Sequence, residues 1–183
     1  GFAGFNYGSV SITNCSNTGV ISGQNAGGIC GIQAGQQGGN VSITNCSNTG
    51  VISGQLAGGI CSGFAGFTNG VVSITNCYNT GTINGDYSGG ITGNLFGYNS
   101  NNVCSILNCY NTGDINGSNS GGITGAEVGY NDNLDYTPQI LIQNCYSLGN
   151  ISTGCGGICG GSNSRTYTNI PIVNIINCYR ITR

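Results

Sequence analysis

Twenty-two residues, Val10 to Gly31 (VSITNCSNTGVISGQNAGGICG), recur almost unchanged along this chain. The stretch returns as VSITNCSNTGVISGQLAGGICS from Val41 and as VSITNCYNTGTINGDYSGGITG from Val72. Looser copies begin at Cys104 and Ile140, and a sixth, VNIINCYRITR, begins at Val173. The starts lie 31, 31, 32, 36 and 33 residues apart. A fixed period of that size means one supersecondary unit stacked on copies of itself, none of which can bury its apolar face alone. The 183 residues therefore divide as a partial tail (1–9), repeats 10–40, 41–71, 72–103, 104–139 and 140–172, and a partial repeat 173–183. Residues 1–9, GFAGFNYGS, match the end of the second repeat, GFAGFTNGV (Gly63 to Val71), so the chain reads as opening inside one repeat and closing inside another.

Counting columns from Val10, the segment V-S-I-T-N-C alternates apolar and polar as a half-buried strand does. Column 1 holds Val10, Val41, Val72, Cys104, Ile140 and Val173, and column 3 is isoleucine in all six copies. The pair Asn-Cys follows, as Asn14-Cys15, Asn45-Cys46, Asn76-Cys77, Asn108-Cys109, Asn144-Cys145 and Asn177-Cys178. A turn of the form S-N-T-G or Y-N-T-G is predicted next. Two further short strands are predicted around Ile21, Ile52, Ile83, Ile115 and Ile151, and around Ile29, Ile60, Ile91, Ile123 and Ile158. No stretch shows a helical period, and glycine interrupts every run. The expected fold is all-β: a parallel β-solenoid of about five and a half coils, one repeat of 31–36 residues per coil, with a propeller as competitor. Length varies after the third strand, in Gly129 to Gln139 and Ser162 to Ile172, which hold both prolines, Asp132, Asp135 and Arg165. Such insertions map to loops on one side of a solenoid.

The columns carry the candidate sites. The six cysteines of the Asn-Cys pair are expected to form a buried column of small polarizable groups. The six asparagines are expected to form an amide ladder closing a turn. Tyr78, Tyr110, Tyr146 and Tyr179 occupy four successive rungs, either a stabilising aromatic stack or a platform for sugar rings. Cys30 and Cys61 are neighbouring rungs of a second cysteine column, expected to point away from the core and to be the best placed pair for a disulfide. Eleven cysteines leave at least one thiol unpaired within the chain.

Several functions are disfavoured. With three arginines, no lysine and a net charge of −2, the chain lacks the charge to neutralise phosphates, so no nucleic-acid partner is expected. No apolar run approaches a membrane span. Without histidine, Cys155 and Cys159 make a poor zinc site. No cofactor motif is present, and Asp86 and Asp114 are the only carboxylates suggestive of a pair, so no enzyme is expected. A hydroxyl face at Thr13, Thr44 and Thr75 breaks at Leu107, Gln143 and Ile176, too short for an ice-binding surface.

The run G-G-I-T-G at Gly89 to Gly93, followed by I-L-N-C-Y-N-T-G-D-I-N-G at Ile106 to Gly117, resembles the GLUG-type repeat of bacterial surface proteins. The resemblance extends over essentially the whole chain. It implies a β-solenoid in an extracellular or cell-surface stalk or adhesin, and it brings no catalytic residues. The expected function is a structural extracellular repeat protein stacking head to tail with copies of itself through open β edges. The alternative is a carbohydrate-binding adhesin module that meets surface glycans through the tyrosine column and the long loops.

Overall fold

The structure, a computed structural model, describes residues 4–133, 135–161 and 170–181. All its strands are paired in parallel, which excludes the propeller. Each coil opens with a five-residue strand: β1 (Ser9–Thr13), β3 (Asn40–Thr44), β5 (Val71–Thr75), β7 (Val103–Leu107), β9 (Gln139–Gln143) and β11 (Ile172–Ile176). Each is followed by a two-residue strand: β2 (Ser16–Asn17), β4 (Ser47–Asn48), β6 (Tyr78–Asn79), β8 (Tyr110–Asn111), β10 (Tyr146–Ser147) and β12 (Tyr179–Arg180). The odd strands form one six-stranded sheet and the even strands another, each in coil order. Equivalent residues pair directly, Val10 with Val41 and Ile12 with Ile43, then Val41 with Val72 and Ile43 with Ile74. A chain that presents the same residue at the same corner of every turn finds its partner one coil away, at a spacing of about 4.8 Å.

Two local expectations change. The second and third predicted strands are reduced to single bridges, Ile21 with Ile52 and Cys30 with Cys61, repeated down the stack. The first two residues of the predicted S-N-T-G turn are instead the second strand, because the chain has already turned at the asparagine two residues earlier. The asparagine of every Asn-Cys pair takes a left-handed backbone, with φ between 50° at Asn177 and 56° at Asn14. Asparagine tolerates that region better than other residues with a side chain.

Two cores run along the axis. The larger joins columns 1 and 3 (Val41, Ile43, Val72, Ile74, Cys104, Ile106, Ile140, Ile142) to the Asn-Cys cysteines and to Ile60, Ile91 and Ile123. The smaller stacks Ile21, Ile52, Ile83 and Ile115 with Ala57. Cys30 and Cys61 lie in the larger core at 3% and 0% exposure, with Thr92 and Thr124 below them at 0%, so this column points inward and not outward as expected. Tight corners make that possible: a Cβ on Gly27 or Gly58 would meet the carbonyl of Cys30 or Cys61 at 2.0 or 1.9 Å, so a bare backbone folds over each cysteine.

Candidate functional site

The predicted columns each have a defined geometry. Cys46, Cys77, Cys109 and Cys145 are buried, whereas Cys15 and Cys178, at the two end coils, are not. The backbone N–H of Cys15, Cys46 and Cys77 donates to the sulfur one coil on, at 3.4, 3.3 and 3.4 Å. Each thiol in turn donates to the carbonyl two residues back, for example Cys77 to Thr75 at 3.3 Å. The thiol thus accepts a backbone N–H that the strand ladder leaves behind, while the carbonyl to which it donates also accepts from the neighbouring coil, Thr75 from the Asn45 N–H at 3.1 Å. Cys30 and Cys61, the expected disulfide pair, are facing rungs and both are free thiols. Burial pushes the Cys104 thiol up to about 11 and also raises Cys46 and Cys159, which keeps these sulfurs in the unreactive neutral form.

The asparagines of the Asn-Cys pair are exposed. Their amides link at Asn108 to Asn76 (3.3 Å), Asn144 to Asn108 (3.1 Å) and Asn177 to Asn144 (3.4 Å). A second and tighter amide ladder, overlooked in the sequence, lies in the two-residue strands. Asn17, Asn48 and Asn79 each donate to the next asparagine Oδ1 at 2.7 Å, and each also donates to the glycine carbonyl two residues on. Asn48, Asn79 and Asn111 are completely buried. In the sequence this Asn reads as ordinary turn chemistry ahead of Thr-Gly, which hides its ladder.

Tyr78, Tyr110 and Tyr146 stack at 5.0 Å with interplanar angles of 5° and 3°, and Tyr179 continues the register at the backbone. Tyr110 therefore has both ring faces covered by its neighbours. Tyr146 and Tyr179 line a depression of 340 Å³ at the last two coils, with Asn144 and Asn177. Asp86 and Asp114 each accept a backbone N–H of the next coil, from Ser118 at 2.8 Å and Asn150 at 2.9 Å. Of the two long loops, Arg165 and its neighbours 162–169 lie outside the described residues.

The structure assembles a groove that the sequence did not point to. It has a volume of 410 Å³ and crosses three coils. The second repeat contributes Gln55, Leu56 and Phe64, the third Tyr87, Asn94, Leu95 and Tyr98, and the fourth Glu127, Tyr130 and Asp132. A second aromatic stack forms its wall. Phe67, Tyr98 and Tyr130 lie face to face at 5.0 and 5.7 Å, and Phe64 stands perpendicular to Phe67 and Tyr98 at 6.1 and 5.9 Å. The Tyr98 hydroxyl donates to Asp132 Oδ2 at 2.5 Å, and Asn99 Nδ2 donates to Oδ1 at 2.7 Å. These bonds, the Tyr98 one foremost, hold the Asp132 carboxyl below its ordinary range. Burial, then the bond to Asp132, pushes the Tyr98 phenol up. The faint signal for this wall was the column Phe67, Tyr98, Tyr130, each following a glycine of positive φ at Gly66, Gly97 and Gly129.

Among the described residues no group of three or more His, Cys, Asp or Glu side chains could hold a metal ion, and no helix is long and apolar enough to cross a membrane. Comparison with protein-family models, with curated proteins and with solved structures gives no match. The fold and its columns therefore define the class, a parallel β-solenoid repeat protein, and function has to be argued from geometry.

Proposed function

We propose that this chain is a structural repeat protein of the cell exterior, a rod segment whose end coils pair with a further coil of the same repeat contributed by a second copy. The observation that carries the reading is the contrast between inner and outer rungs of the same columns. Val41, Ile43, Val72 and Ile74 are fully buried, whereas Val173 and Ile175, their equivalents in the last coil, are 37% and 49% exposed. Ile172, Ile176 and Ile181 stand beside them at 49%, 44% and 56%. Among the described residues the outer edges of β1 and β11 have no strand beyond them, and inner rungs pair like residue with like, so a further coil of this repeat would fit either edge. Open apolar edges recruit strands unless something covers them. Covering this one by a coil in register would bury roughly half of each side chain, worth about 1 kcal/mol apiece, and add a row of backbone hydrogen bonds. Such a contact is heterologous and non-closing, which gives fibres and not rings. The exterior location rests on the GLUG-type resemblance.

Electron microscopy of the purified chain tests the reading. Fibres with an axial repeat of about 25–30 Å, five to six coils at the strand spacing, are expected. The substitution Ile175→Lys on the exposed edge should abolish them while leaving the circular dichroism of the monomer intact. Dispersed monomers at millimolar concentration, or fibres indifferent to Ile175→Lys, would refute end-to-end stacking.

A further inference from the structure

The groove across the second, third and fourth coils rests on an unusual backbone. Leu56 and Tyr87 take φ of 60° and 57°, and Phe64, Leu95 and Glu127 take 59°, 57° and 58°. These are successive rungs of two left-handed columns, one running Asn25, Leu56, Tyr87, Asn119 and the other Gln33, Phe64, Leu95, Glu127. Left-handed backbone costs a residue with a bulky side chain about 1–2 kcal/mol relative to glycine, and asparagine suffers less. The first column takes asparagine in the first and fourth coils, leucine in the second and tyrosine in the third. All five large residues line the groove. Left-handed backbone is also held outside the groove, by Tyr7, Gln33, Gln37 and Thr68, so what marks this site is the set of large side chains that adjacent coils bring together along it.

We propose that this groove binds a linear, neutral oligosaccharide lying along the solenoid axis. No lysine or arginine lines it and two carboxylates do, which disfavours anions. Tyr98 has Phe67 on one face and Tyr130 on the other, which closes its ring to a cation–π contact; a cation held by Asp132 and Glu127 alone is the competing ligand that the titration below includes. The stack offers instead its hydroxyls and ring edges, beside the amides of Gln55 and Asn94 and a carboxylate, Asp132, already oriented by two hydrogen bonds. Fixed acceptors and amides of this kind match a row of sugar hydroxyls. Phe64, perpendicular to the stack, sets an aromatic plane along the axis, the direction in which a sugar chain would run. The coil rise of about 4.8 Å is close to the length of one pyranose unit, so three coils meet about three units, each coil with its own set of lining groups. The site is on the flank and does not depend on end-to-end stacking.

Isothermal titration of the intact chain with four trisaccharides tests this: β-1,4-linked glucose, α-1,4-linked glucose, β-1,4-linked mannose and β-1,4-linked N-acetylglucosamine. At least one should bind. Tyr87→Asn, which installs the residue this column carries at 25 and 119, should abolish binding while melting no lower than the parent. Asp132→Asn should weaken binding about tenfold, the effect of losing a hydrogen bond to a charged group. Tyr110→Ser, on the other tyrosine stack, should leave binding unchanged. The proposal is overturned if no trisaccharide binds, if Tyr87→Asn binds like the parent while Tyr110→Ser does not, or if tetramethylammonium binds and the sugars do not.

Discussion

The two asparagine columns look alike in sequence and do opposite things. Asn108 is exposed and sits where the backbone is left-handed, so its main contribution is conformational. Asn79 is fully buried and its amide contacts Asn48, Asn111 and the Gly81 carbonyl. Replacing Asn108 by glycine should leave stability nearly unchanged, and replacing it by alanine should cost about 1 kcal/mol. At Asn79 both replacements should cost about 2–4 kcal/mol, because buried donors and acceptors lose their partners on either side. Urea denaturation of the four variants distinguishes the roles; equal losses from glycine and alanine at Asn108 would contradict the backbone explanation. The sequence made both columns visible as repeats and could not rank them, since ranking depends on which side of the coil each faces. The left-handed positions at Leu56, Phe64, Tyr87, Leu95 and Glu127 were harder still to read, because none of these residue types signals such a backbone.

Among the elements, the five-residue strands were legible because V-S-I-T alternates and recurs in register. The two-residue strands were not. Their strand partners lie 31 to 36 positions away, and nothing local in Ser-Asn or Tyr-Asn separates a short ladder from a turn. The same limit hid the groove, whose ten lining residues come from three repeats and become neighbours only when coils stack. The loop after Val128 is tied to the coil above by Tyr98 and Asn99 through Asp132, and this attachment should respond to pH from both sides. Asp132 has its folded pKa depressed, so its contribution is present above the ordinary carboxylate range and is lost as pH falls through the lowered value. Tyr98 has its folded pKa raised, so its contribution is present below the ordinary phenol range and is lost as pH rises through the raised value. Tyr98→Phe should lower stability at neutral pH by about 1 kcal/mol, modest because the pair is solvent-facing. It should also flatten the acid limb of the stability profile; an unchanged limb would show that Asp132 does not hold the loop.

At the scale of the molecule, strand pairing between coils joins like columns. A coil meets only its two neighbours, so stability is close to a sum of coil terms and coil-to-coil terms. Inserting a second copy of residues 72–103 after residue 103 should therefore yield a folded chain one rung longer, by about 4.8 Å. Its melting temperature should be at least that of the parent, and small-angle scattering would measure the added length. A misfolded or shortened product would show that the coils are not interchangeable. The constant register has a hereditary side as well. Because a rung fits above or below its own kind, gain or loss of a whole repeat would lengthen or trim the rod in whole steps and still leave a folded product. Length is then the trait this protein can change most readily from one generation to the next, while each corner of the coil stays fixed by the neighbour it must match.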